Sequence, residues 1–166
     1  MQFCRMKKNH KYAMGLTFIG MIGYLFQGSL YGEAKITDGD TIIIGSQKIR
    51  LYGIDAPEKN QKCKTKQDRE WQCGIEAKDY LAKIVDQNKV FCFSKSKDRY
   101  RREVSICYNH KFQSINAEMV RNGYAVAYTK YSKLYINEEQ QAKQKKLGIW
   151  AGTFTKPEEY RMRKKP

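Results

Sequence analysis

Residues 38–58 hold the side chains of this sequence best suited to chemistry: four carboxylates and one arginine. Asp38 and Asp40 flank Gly39 in ITDGDT, residues 36–41. Asp55 and Glu58 close IRLYGIDAPE, residues 49–58, whose apolar, β-branched start carries Arg50. Taken alone, D-G-D-T is a common turn and an acid beside a proline is a common solvated loop. Together they imply more. If residues 41–54 form a hairpin, its free ends return the chain on itself and Asp40 meets Asp55. Two carboxylates held close repel unless a cation joins them, and hard oxygen ligands select Ca²⁺ or Mg²⁺ over zinc or copper. The backbone carbonyl of Ala56 would add an oxygen, and Pro57 fixes φ and removes a donor, which holds the corner rigid.

A cation beside Glu58 and Arg50 points to phosphoryl chemistry. The metal polarises a phosphoryl oxygen, and Glu58 can take a proton from the attacking water. Arginine forks match phosphate oxygens in pairs and stabilise the charge that builds in the transition state. A second arginine is expected from DRYRR, residues 98–102, as Arg99, Arg101 or Arg102. One geometric condition follows. Strict alternation puts Arg50 and Asp55 on opposite faces of a strand. A bulge or strong twist must bring them together, and Gly53 is where it belongs.

The elements that must position these groups read as β-rich first and helical later. Strands are expected at 33–37, 41–45, 48–54, 90–95 and 103–108, with Gly45-Ser46-Gln47 turning the second into the third. A first helix fits 74–88, with Ala77, Leu81, Ile84, Val85 and Asn88 on one face. A second fits 114–122 and stops at Gly123. A third starts after Asn137, where Asn-Glu-Glu-Gln resembles a capping box, and ends at Gly148. The expected fold class is α+β: a five-stranded OB-type Greek-key barrel with about three helices, which presents a face to oligonucleotides. No internal repeat and no low-complexity linker interrupts it.

Composition agrees with a nucleic-acid or other anionic counterpart. The 166 residues suit one domain and carry a formal charge of +15. The N-terminus is set aside from the fold. Arg5, Lys7, Lys8 and Lys11 precede the apolar run Ala13–Phe26, which is shorter than the ~20 residues of a membrane span. Residues 1–32 read as a signal peptide or N-terminal membrane anchor, with tethering through 12–32 left open. Their removal leaves 28 lysines and arginines against 17 acids, so the domain itself remains basic at +11. The expected division is 1–32, then a domain over 33–152, then a basic tail over 153–166.

Cysteine usage fits export, secreted or periplasmic. Cys4 falls in the N-terminal segment, which leaves Cys63, Cys73, Cys92 and Cys107. Cys63 and Cys73 bracket a polar loop, and Cys92 and Cys107 lie in two β-like runs that could form a hairpin. Local pairing, 63 with 73 and 92 with 107, is the economical choice among three connectivities. A four-cysteine zinc site is disfavoured because no C-x-x-C occurs.

From about Ala34 to Trp150 the chain resembles the staphylococcal nuclease (thermonuclease) family. The matching pieces are ITDGDT, IRLYGIDAPE, CGIEA at 73–77, DRYRR at 98–102, MVRNGYA at 119–125 and AKQKKLGIW at 142–150. The resemblance implies an OB-fold barrel with three helices that cleaves DNA and RNA with Ca²⁺. It implies Asp40 and Asp55 as metal ligands, joined by the Ala56 carbonyl, with Asp38 behind them. It further implies Glu58 as general base, Arg50 and Arg102 as phosphate-binding arginines, and a nucleotide pocket lined by Tyr100 and one or more of Tyr124, Tyr128 and Tyr131. No protein partner is implied, and the chain would act as a monomer.

Three departures stand out. Arg101 occupies a place where the family commonly has glycine, which bears on the turn's shape and on which arginine points inward. The Cys63–Cys73 loop is absent from the founding nuclease. The tail WAGTFTKPEEYRMRKKP also differs, and reads either as extra electrostatic footing or as a disordered terminus. Two other functions compete with a nuclease: a non-catalytic nucleic-acid-binding OB-fold module, and a structural or adhesive basic surface protein. The presence of every catalytic residue type speaks against both.

Overall fold

The structure is a computed structural model that describes residues 28–86 and 89–164. Strands β1 (Ser29–Asp38), β2 (Thr41–Ile44), β3 (Gln47–Leu51), β8 (Glu103–Tyr108) and β7 (Lys89–Lys97) close into a barrel in that order. All pairings are antiparallel except β3 with β8, which run parallel, with Arg50 opposite Val104. Ile42, Ile49, Leu51, Val90, Leu81 and Met119 fill the interior, so the barrel is a packed core beneath its helices. The α+β OB-fold barrel expected from the sequence is what forms.

The strand 48–54 is broken as the chemistry required. β3 stops at Leu51, Gly53 takes φ +75°, and Ile54–Asp55 (β4) pairs with Val126–Ala127 (β9) instead. A side chain at Gly53 would press on Ser132 and the Tyr135 ring in a backbone conformation that favours glycine. β1 is longer than the 33–37 expected. It starts at Ser29, so residues 29–32, set aside with the apolar segment, are part of the barrel wall. The basic stretch and the run Ala13–Phe26 lie outside the described residues.

Helix α1 (Cys73–Val85) buries Ala77, Leu81 and Val85 and ends at Asp86, which takes φ 52°; Asn88 lies outside the described residues. Helix α2 (Ile115–Arg121) is capped by the Ser114 hydroxyl, which accepts from the Ala117 N–H. Helix α3 (Ile136–Lys145) begins one residue before the expected capping box and has no side-chain cap. Its cap position is Tyr135, and Glu139 accepts the Ala127 N–H, which ties α3 to β9. A fourth helix, α4 (Pro157–Arg163), lies in the segment read as footing or disorder.

Both expected disulfides are formed. Cys92 and Cys107 face each other across the β7–β8 ladder. Cys63–Cys73 joins the small hairpin of β5 (Cys63–Lys64) and β6 (Glu70–Trp71) to the start of α1. It is buried in a second cluster with Ile149 and Val126.

Candidate active site

Thr41 and Arg50 are register partners at the open end of the β2–β3 hairpin, which places Asp40 and Asp55 beside them. Arg50 bridges the two acids, with Nη1 2.7 Å from Asp40 Oδ1 and Nη2 2.8 Å from Asp55 Oδ1. Both acids are almost fully buried, at 5% and 1% exposure. Uncompensated, such charges would be costly, and the guanidinium is what makes the pair tolerable.

Small residues make the close packing possible. A side chain at Gly39 would meet Ala56 at 2.8 Å and Ala77 at 2.9 Å, so the D-G-D turn can lie against α1 and the A-P-E corner. The Ala56 N–H donates to Asp40 Oδ2 at 3.3 Å, the Thr41 hydroxyl donates to Oδ1 at 3.0 Å, and the Asp40 N–H donates to Asp38 Oδ1 at 3.1 Å. Asp38 therefore sits behind Asp40. Burial, then the negative charge of Asp40, push its carboxyl up to about 6. Burial likewise raises Asp55, with Arg161 and Arg50 opposing the rise and Asp40 adding to it.

Glu58 stands on the next turn, with its carbonyl against Gly74. A Cβ there would lie 1.8 Å from that oxygen, which accounts for glycine in C-G-I-E-A. The buried Gln61 holds the Glu58 backbone, accepting its N–H through Oε1. The Glu58 carboxylate faces Asp55 across the guanidinium of Arg161. Arg161 Nη1 lies 2.8 Å from Glu58 Oε1 and 2.9 Å from Asp55 Oδ1, and Nη2 lies 3.0 Å from Asp55 Oδ2.

The structure thus brings Asp38, Asp40, Arg50, Asp55, Ala56 and Glu58 together. Arg102 does not join them. Its Nε and Nη2 both bond Asp98 Oδ2 at 2.7 Å, its N–H bonds Asp98 Oδ1, and its guanidinium lies 5.5 Å from the Tyr100 ring. Arg101 is exposed and takes φ 62°, the left-handed conformation glycine adopts most easily, so the turn keeps the shape a glycine would give it. Tyr100 and Tyr131 are well exposed, at 65% and 63%. Tyr128 packs edge-on to Tyr131 and donates its hydroxyl to Glu158 at 3.0 Å. Tyr124 stacks on Tyr80 against the core and is a packing residue.

Arg161 is the site residue the sequence reading did not single out. A signal was present: Pro157 at the first helical position, Glu158 and Glu159 in the first turn, and Arg161 and Arg163 in the last. What could not be read was where that helix would dock.

The donor set fits a hard cation. Asp40 and Asp55 converge on shared positive charge and offer carboxylate oxygens only. Among the described residues no three His, Cys, Asp or Glu side chains form a ready ligand set. A cation here would therefore rest on these two acids, with carbonyl, solvent or substrate oxygens completing its shell.

Fold and site together define an OB-fold barrel with an acid–arginine cluster at the open end of its β2–β3 hairpin. A family model described as "Staphylococcal nuclease homologue" matches residues 48–152, and the chain belongs to that family. It is 40% identical over 124 residues to an uncharacterised endonuclease of Haemophilus influenzae, covering 70% of this chain and 64% of that protein. It is 32% identical over 123 residues to the succinoglycan biosynthesis protein ExoI of Rhizobium meliloti, covering 73% and 64%. It is also 32% identical over 133 residues to micrococcal nuclease of Shigella flexneri, covering 70% and 71%. The matched stretch spans 64% of the length of the first two relatives.

Proposed function

We propose that this chain is a Ca²⁺-dependent endonuclease that hydrolyses phosphodiester bonds of DNA, RNA or both. The observation that carries the reading is the convergence of Asp40, Asp55, Arg50 and Glu58 on one corner of the barrel. Relatives named as endonucleases and as micrococcal nuclease support it. Asp40 and Asp55, with the Ala56 carbonyl, would hold the cation, which when bound polarises a phosphoryl oxygen. Glu58 takes the proton of the attacking water as its oxygen bonds to phosphorus. Arg50 and Arg102 bind the equatorial phosphate oxygens as the bond to the leaving oxygen breaks. Tyr100, Tyr128 and Tyr131 offer ring faces to the nucleotide. The test is incubation of plasmid DNA and of RNA with the purified protein, in Ca²⁺ and then in excess chelator. Cleavage is expected in the first and none in the second. Cleavage that persists in chelator would remove the metal from the mechanism. Salt-dependent binding without cleavage would leave the non-catalytic module.

The protein is exported in this reading and acts as a monomer. Support comes from the cation-flanked apolar segment within residues 1–32 and from the two disulfides. Peptide mapping without reductant of protein taken from the cell envelope should recover Cys63–Cys73 and Cys92–Cys107. Four free thiols would refute the export.

A further inference from the structure

We infer that Arg161 occupies the cation site from within: its guanidinium competes with the divalent cation for Asp55 and restrains Glu58, so that metal loading and release of the base are one event. The inference rests on the function proposed above.

Both oxygens of Asp55 are taken by the Arg161 fork, at 2.9 and 3.0 Å. A calcium ion needs those oxygens at about 2.3–2.6 Å and would bring two positive charges against a third. The two cannot share Asp55 in this geometry. The same Nη1 also holds Glu58 Oε1 at 2.8 Å, so that oxygen is turned toward the guanidinium rather than toward a water. When Arg161 withdraws, Asp55 Oδ2 is freed to bind metal while Oδ1 keeps its bond to Arg50, and Glu58 is freed to bind water.

The charge balance explains why the arginine is there. Among the described residues of the barrel corner Asp38, Asp40, Asp55 and Glu58 stand against Arg50, and Arg161 supplies a second cation in the metal-free chain. Its delivery is built into the C-terminal segment. Lys64 and Thr153 exchange two backbone hydrogen bonds, Gln61 donates to the Thr155 carbonyl, and the Tyr160 hydroxyl donates to the Asn60 carbonyl. Glu158 meanwhile accepts from Tyr128, so α4 engages a substrate-facing tyrosine as well as the acids. The Arg161 side chain is 34% exposed, against 1% for Asp55, so it can swing to solvent while the hook at Thr153 stays fixed.

The test is calorimetric titration of Ca²⁺ into the full chain, its Arg161→Gln and Arg161→Lys variants, and Arg163→Gln. The last removes an equal charge from the same helix outside the site. Arg161→Gln should bind Ca²⁺ roughly tenfold more tightly, the scale of one charge-assisted hydrogen bond. Arg161→Lys, which keeps the charge but not the fork, should fall between. Arg163→Gln should match the parent. In chelator, Arg161→Gln should melt at a lower temperature than the parent, and Ca²⁺ should close the gap. If the parent binds Ca²⁺ and Arg161→Gln binds it no more tightly, competition is refuted while the proposed function stands. Lost cleavage with unchanged Ca²⁺ affinity would make Arg161 a phosphate ligand and also overturn the inference. If no variant binds Ca²⁺, the metal reading fails and this inference fails with it.

Discussion

The acid corner and the DRYRR turn carry similar charges under opposite regimes. Asp40 and Asp55 are held in near-complete burial by strand register, by a backbone N–H donor and by Arg50, whose own side chain is 17% exposed. Asp98 and Arg102 satisfy each other locally, four residues apart and each 20% exposed, next to the well-exposed Tyr100. A buried ion cluster cannot be rearranged without exposing a charge to low dielectric, so it is preorganised. A local, partly exposed pair costs less to open, so under the proposed function Arg102 is the arginine that would leave its partner for a substrate phosphate. The corner supplies fixed geometry and the turn supplies an arm.

Arg50→Gln tests the first half of that contrast most severely. It leaves Asp40 and Asp55 buried without their shared cation and should cost about 3–5 kcal/mol of stability by urea unfolding, along with activity. A loss near zero would mean the corner is not preorganised by charge. Glu58→Gln keeps the shape and should spare stability, while kcat falls by roughly 10²–10⁴ with substrate affinity near that of the parent. Single-turnover cleavage of a short oligonucleotide beside its binding isotherm separates the two quantities, and a parental rate would dismiss Glu58 as the base. Arg102→Ala should lower cleavage by roughly 10² and also weaken binding, yet move stability by no more than about 1 kcal/mol. If Arg101→Ala is the more damaging change, the arm is the wrong arginine.

Acidity sharpens the comparison at smaller scale. Partial burial raises the Asp98 carboxyl, but the side-chain and backbone bonds from Arg102 outweigh it and hold the group below its ordinary value. A lowered carboxylate contributes stability above its unfolded value, about 3.9, and loses it as pH falls through the folded value. The stability gap between the parent and Asp98→Asn should therefore be full at neutral pH and shrink below about pH 4. Smallest of all, Arg101→Gly should shift stability by about 1 kcal/mol or less, because relief at φ 62° is offset by glycine's greater freedom when unfolded.

What the sequence disclosed follows the same division. The acid corner was legible because its parts are short-range: D-G-D, the hairpin and the break at Gly53 lie within twenty residues or so of one another. The disulfides were legible for the same reason, with separations of 10 and 15. Arg161 was not, since it lies 106 residues from Asp55 and its partner is chosen by docking rather than by pattern. The start of α3 was misplaced because the helix opens at Ile136 with Tyr135 at its cap position, so Asn137 lies within the first turn instead of capping it. The direction of Arg102 could not be read because its partner Asp98 lies only four residues away in a turn whose shape the motif does not specify.

The early start of β1 sets a limit on trimming. The seam between β1 and β7 is stitched at Ser29, Leu30, Tyr31, Gly32 and Glu33, and four of those five stitches precede Glu33. A peptidase that cut after Gly32 would turn a ring of strands into an open sheet with two bare edges, and such edges recruit other chains. The Gly28 carbonyl accepts the Ser94 N–H of β7 as well, so a cut that leaves the ring intact has to come before Gly28, five positions ahead of a cut after Gly32.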